Sequence, residues 1–254
     1  MTTPTAGLRR RGPARAIWGI AGVCWVVTVA AVLLGVADHG DHDAVLTGSG
    51  LAWPWQLAAF AAVWMVMIGA MMLPTTVPLL ELFWVVSARQ PRPALVRTTM
   101  LTPYLAWWLG FAGLALAGDV MVHELVEAWG WLADRSGLVL GGVLVLAGAF
   151  QFSDLKKACL TACRSPVNML WEHYGRGVRA AWALGTRHAL TCLGCCWALM
   201  LVMFATGIGS LAWMLLLTAV MVAEKTTAWG ARLVTPVGVG FIVSGLAISA
   251  VALW

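Results

Sequence analysis

Seven apolar stretches alternate with short polar segments along the chain, at about residues 16–37, 54–73, 99–117, 137–153, 184–206, 211–224 and 233–253. A helix needs about 20 residues to cross a hydrocarbon core of about 30 Å, and most of these stretches have that length. The pattern predicts an all-α fold, a polytopic transmembrane bundle of about seven spans. Residues 1–15 read as a basic N-terminal tail and 16–254 as a single transmembrane helical domain. Composition agrees: 61% of residues are hydrophobic, 11% are charged and the mean hydropathy is +0.86. Several of the sixteen tryptophans lie near span ends, where indole favours the headgroup layer.

Charge orients this drawing. Arg9, Arg10, Arg11 and Arg15 precede the first span, and Arg89, Arg92 and Arg97 follow the second. Lys156, Lys157, Arg164, Arg176, Arg179 and Arg187 lie between the fourth and fifth, and Lys225 and Arg232 between the sixth and seventh. Fifteen of the 16 basic residues thus share one side, with Arg135 alone on the other, so that side is predicted to be cytoplasmic. The N-terminus falls inside and the C-terminus outside, in a multi-pass protein of the bacterial inner membrane. The net charge of +5 reflects this insertion pattern; no nucleic-acid-binding signature accompanies it.

Two segments strain the drawing. Pro54 to Ala88 is apolar for about 35 residues, roughly 50 Å as a helix, so Pro74 and Pro78 are expected to break it. The first span also has features of a signal sequence, although its apolar run is longer than the usual 7–15 residues. In the outer loops, D-H-G-D-H-D follows the first span, and Asp119, His123, Glu124, Glu127 and Asp134 follow the third. A short surface helix would set His123 and Glu127 on one face.

The fifth span carries the most distinctive chemistry. In R-H-A-L-T-C-L-G-C-C-W-A-L-M-L-V-M, His188, Cys192, Cys195, Cys196 and Met203 fall within about 100° of one helical face. Cys159 and Cys163 stand at i,i+4 just before it, and the second span brings Met65 to Met72 towards the same half of the membrane. Thiolates and thioethers suit Cu(I), with Zn(II) second. A thiolate within a membrane needs a compensating cation, a bound metal or a side chain such as Lys225 or Arg187.

The predicted metal set is Cys159, Cys163, His188, Cys192, Cys195, Cys196, Met71, Met72, Met200, Met203 and Glu224. A secondary outer metal site would use Asp38, His39, Asp41, His42 and Asp43. Packing competes with these readings, because cysteine is a small hydrophobe, methionine a gap filler, and small residues mark close helix crossings. Cys24 reads as packing, and Glu224 with Lys225 also reads as a snorkelling pair.

The runs W-M-V-M-I-G-A-M-M-L-P, Q-F-S-D-L-K-K-A-C-L-T-A-C-R-S-P, C-L-G-C-C-W-A-L-M and A-E-K resemble signature segments of a bacterial family of uncharacterised, predicted metal-binding integral membrane proteins. The resemblance covers roughly residues 60–230. It implies a multi-span helical protein linked to a metal such as copper. Its motif positions map to Met71, Met72, Pro74, Gln151, Lys156, Lys157, Cys159, Cys163, Arg164, Cys195, Cys196, Trp197, Met200, Glu224 and Lys225. D-H-G-D-H-D lies outside it.

The leading function is binding and transport or delivery of a soft metal across the membrane, most plainly copper as Cu(I), with zinc second. Its partners would be the bilayer, the ion, and a metallochaperone or membrane complex. No G-x-x-x-x-G-K-[ST] motif is present, which argues against ATP-driven pumping by this chain, and no hydrolase constellation is visible. A membrane thiol–disulfide oxidoreductase and a non-catalytic assembly subunit for a metalloenzyme are the alternatives. The balance favours a protein that is not an enzyme.

Overall fold

A computed structural model describes residues 12–34, 52–206 and 210–254, and every regular element among them is helical. The order is α1 (Ala14–Leu33), α2 (Trp53–Met71), a 3-10 turn (Leu73–Thr76), α3 (Val77–Ser87) and α4 (Pro93–Ala128). There follow α5 (Gly130–Ala133), α6 (Gly137–Gln151), α7 (Asp154–Cys163), α8 (Pro166–His173), α9 (Val178–Ala205), α10 (Leu211–Thr226) and α11 (Gly230–Leu253). Asp38, His39, Asp41, His42 and Asp43 lie outside the described residues.

Five helices, α1, α2, α4, α9 and α11, are long and apolar enough to cross a membrane, and α6 with α7 makes a sixth if the bent pair counts as one span. The remaining apolar stretch forms α10, whose 16 residues extend about 24 Å, short of a full hydrocarbon core.

The break after α2 follows from proline chemistry. Pro74 has no N–H, and its ring would clash with the carbonyl four residues back, so α2 ends at Met71 and a 3-10 turn intervenes. Pro78 sits in the first turn of α3, where a missing N–H costs nothing. Between α6 and α7 the chain bends by 66°. There the Ser153 hydroxyl accepts a 3.1 Å hydrogen bond from the Lys156 N–H, which caps α7. The sequence pattern suggested a separate surface helix around His123; instead His123 and Glu127 continue α4, which runs unbroken for 36 residues.

Helix α9 is the central element. Of its apolar window 61% is buried, against 11–39% for the other single-helix spans. Its approach to α4 depends on Gly185, where an added Cβ would collide with the Met100 carbonyl. On the other flank, α6 and α11 cross through glycines seven residues apart on each helix. A Cβ at Gly148 would stand 2.6 Å from the Gly238 oxygen, and one at Gly245 would stand 2.6 Å from the Gly141 oxygen. Such close approach gives backbone-to-backbone packing of the kind that joins apolar helices of membrane-spanning composition. Trp64 and Trp108 join α2 to α4, the Trp64 indole donating 3.1 Å to the Trp108 carbonyl.

Candidate metal centre

The bend after α6 turns α7 back across α9, and this brings sulfur to sulfur. Cys195 Sγ lies 3.7 Å from Cys163 Sγ and 3.3 Å from Cys196 Sγ. Its thiol donates 3.1 Å to the Cys192 carbonyl, one helical turn back. Cys192 is near enough to Cys163, Cys195 and Cys196 to interact with all three thiols. Cys192, Cys195 and Cys196 are at most 1% exposed, while Cys163 is partly exposed.

Three further elements close the group. Lys225, in the last turn of α10, directs Nζ to 3.2 Å from Cys192 Sγ, 3.4 Å from Thr75 Oγ1 and 3.8 Å from Met72 Sδ. Tyr104 of α4 places its hydroxyl 3.4 Å from Cys192 Sγ and 3.4 Å from the Met72 carbonyl. The tyrosine ring stacks on the His188 imidazole, with centroids 5.4 Å apart and planes 18° from parallel.

A buried ion pair braces the centre from behind. Lys156 Nζ lies 2.6 Å from Glu224 Oε2 and donates 2.7 Å to the Cys195 carbonyl, with both pair members 1% exposed. Gln151 Nε2 donates 3.1 Å to the other carboxylate oxygen. Lys156 therefore ties α7 to α9 and α10 at once. Arg164 completes the brace by donating to the Glu224 carbonyl, in the last turn of α10, and to the Thr227 carbonyl just beyond it.

The residues singled out in the sequence are thus divided. Cys163, Cys192, Cys195 and Cys196 converge, with Met72 and His188 beside them. Cys159 faces elsewhere: its sulfur lies over Gly194, where a Cβ would stand 2.5 Å away. Both carboxylate oxygens of Glu224 are engaged by Lys156 and Gln151. Met71, Met200 and Met203 are buried in the same apolar core as the cysteines. Cys24 packs on Gly69. Tyr104 was not singled out by sequence reasoning, and Lys156 entered only among the inner basic residues and as a motif position of the family resemblance, without a role at the site. Apart from that resemblance, a lysine at a loop–helix junction looks like any other positive-inside residue, and Tyr104 has only its rarity, as one of two tyrosines, to mark it.

The donor set fits a soft ion. Four ligands at a metal–sulfur distance of about 2.3 Å stand about 3.8 Å apart around a tetrahedral centre, close to the observed 3.7 Å between Cys163 and Cys195. Among the described residues, no group of three or more His, Cys, Asp or Glu side chains is already arranged to hold a metal ion. The 3.3 Å Cys195–Cys196 contact is a thiol–thiol contact, and side-chain rotation would have to open it around an ion.

Fold and site together define a helical protein of membrane-spanning composition with a thiol cluster against its central helix. The chain belongs to the family described as PpoB2, copper chaperone, which matches residues 61–248 and so includes the whole of this centre. No curated protein and no solved structure matches the chain.

Proposed function

We propose that this protein binds Cu(I) at Cys163, Cys192, Cys195 and Cys196 within the membrane and hands it to a partner protein. The observation that carries the reading is Lys225. Its buried ammonium contacts a thiol, a thioether and a hydroxyl, with no carboxylate among those contacts. Burying an unpaired charge is costly, so an anionic sulfur is the natural counter-ion, and an anionic sulfur is a soft-metal ligand. Membership of a copper-chaperone family supports copper over zinc. The distribution of basic residues supports a bacterial inner-membrane location with this centre nearer the cytosol, where thiols stay reduced and copper is carried as Cu(I).

Delivery or passive transport fits this chain better than pumping, since it carries no P-loop. A thiol–disulfide oxidoreductase fits less well: Cys163 is partly exposed, but the sequence pattern puts it on the cytosolic side, where thiols are kept reduced, and the outer loops carry no cysteine. The deciding experiment is copper analysis of protein purified in detergent under reducing, anaerobic conditions. Wild type should retain about one Cu(I) per chain after competition with a chelator, and the fourfold Cys→Ser variant none. Equal copper in a correctly folded fourfold variant would end the proposal.

A further inference from the structure

We infer that Cys163 and His188 form a second copper position, a transfer point through which the ion reaches the thiol cluster. The inference rests on the copper-handling reading above and adds a route to it. His188 is 7% exposed, and neither of its ring nitrogens has a hydrogen-bond partner among the described residues. Such orphaned nitrogens are rare in a folded core, because each loses its water and gains nothing in return. Tyr104 cannot relieve them: it stacks on the imidazole face and turns its hydroxyl to Cys192.

The imidazole instead borders a small pocket of about 10 Å³, shared with Cys163, Thr75, Ala162 and Met169. A space of that order holds about one water or one dehydrated ion. Cys163 belongs to both places, since it lines the pocket and lies 3.7 Å from Cys195 Sγ. It is also more exposed than Cys192, Cys195 and Cys196. An ion held by one imidazole nitrogen and the Cys163 sulfur has its next ligand already adjacent.

The transfer is ligand exchange without redox change. A Cu(I)–bis-thiolate donor, such as the complex with glutathione, gives up its ion as its two Cu–S bonds break and Cu–S and Cu–N bonds form to Cys163 and His188. One departing thiolate takes the Cys163 thiol proton and the other leaves as free thiolate. The Cu–N bond to His188 then breaks as a Cu–S bond to Cys195 forms, and the Cys195 proton leaves to solvent. Copper stays Cu(I) throughout. Neutral imidazole is a serviceable but weaker ligand than thiolate, as a transfer point requires.

The test uses the full chain in detergent micelles, anaerobic, with Cu(I)–glutathione as the probe and Cu–thiolate absorbance as the readout. His188→Leu should reach the same final copper content as wild type but load at least tenfold more slowly. His188→Met, which restores a soft donor, should recover most of the rate, as a purely structural role would not. In a Cys195→Ser/Cys196→Ser variant, X-ray absorption should find a nitrogen neighbour on copper that disappears when His188→Leu is added. Full loading of wild type with an unchanged rate in His188→Leu, or sulfur-only scattering in the double-serine variant, overturns the transfer point and leaves the cluster standing. No copper uptake by wild type overturns both.

Discussion

Lys225 Nζ stands 3.2 Å from the Cys192 sulfur, while its chain neighbour Glu224 is held 2.6 Å from Lys156 on a different side of α10. Adjacent residues in a helix diverge by about 100°, so the two opposite charges do not neutralise one another. Glu224 is satisfied by the brace from α7, which leaves the Lys225 ammonium facing the sulfurs. With Lys156 paired to Glu224, the Lys225 ammonium is left as the buried charge that a thiolate would balance.

Lys225→Met tests that charge balance. A Cu(I)–thiolate group carries net negative charge once more than one sulfur is bound, and the ammonium stabilises it in a low-dielectric setting. The variant should fold, because methionine matches the stem in length and apolar character. Its Cu(I) affinity, measured against a chromogenic chelator, should fall about tenfold or more, equivalent to at least about 1.4 kcal/mol. Lys225→Arg should keep most of the affinity. An affinity that rises in Lys225→Met would mean that the ammonium competes with the ion instead of supporting it.

The Lys156–Glu224 pair should matter to folding before it matters to metal. Removing one partner leaves an uncompensated buried charge, at a cost of about 3–5 kcal/mol, whereas removing both leaves none. Glu224→Gln and Lys156→Met should each lower thermal stability markedly in detergent. The double variant should recover a good part of the loss and still bind copper with weakened affinity, because Lys156 also holds the Cys195 carbonyl. Strictly additive losses would show that the pair is not coupled.

Much of this arrangement is written in the chain, though unevenly. Continuous apolar runs mark the spans, and the 100° rotation per residue places His188, Cys192, Cys195 and Cys196 on one face of α9. Proline chemistry marks the break after Met71. The 66° bend at Ser153 is less legible, since a capping serine inside an apolar run is a local signal without a direction. That bend decides which of the two cysteines of α7 meets the thiols of α9 and which packs on its Gly194. The partner choice of Glu224 is equally hidden, because sequence proximity favours Lys225 and only the docking of α7 brings Lys156 to it.

The two cysteines of α7 should therefore behave differently. They are one turn apart, yet the Cys163 sulfur meets Cys195 while the Cys159 sulfur sits over Gly194. Cys159→Ser should retain wild-type copper stoichiometry with a stability change under about 1 kcal/mol, as serine is nearly isosteric at a half-buried site. Cys163→Ser should lose most of the bound copper or shift it to a weaker site. Equal losses in both variants would indicate that α7 turns on binding to present both thiols.

The glycine crossing of α6 and α11 has a consequence for the site although it lies outside it. Gln151, three residues beyond Gly148, holds Glu224, so the height at which α6 packs on α11 sets the position of the carboxylate brace. Gly148→Leu cannot be absorbed by side-chain rotation, because what it meets is the Gly238 backbone at 2.6 Å from the first added carbon. Overpacking of this kind costs about 1–3 kcal/mol, more where backbone must move. The variant should melt earlier and bind copper less tightly than wild type. Gly142→Leu, whose added carbon meets nothing within 4 Å, should do neither. If Gly148→Leu loses stability but keeps full copper affinity, the brace does not transmit the helix crossing to the thiols.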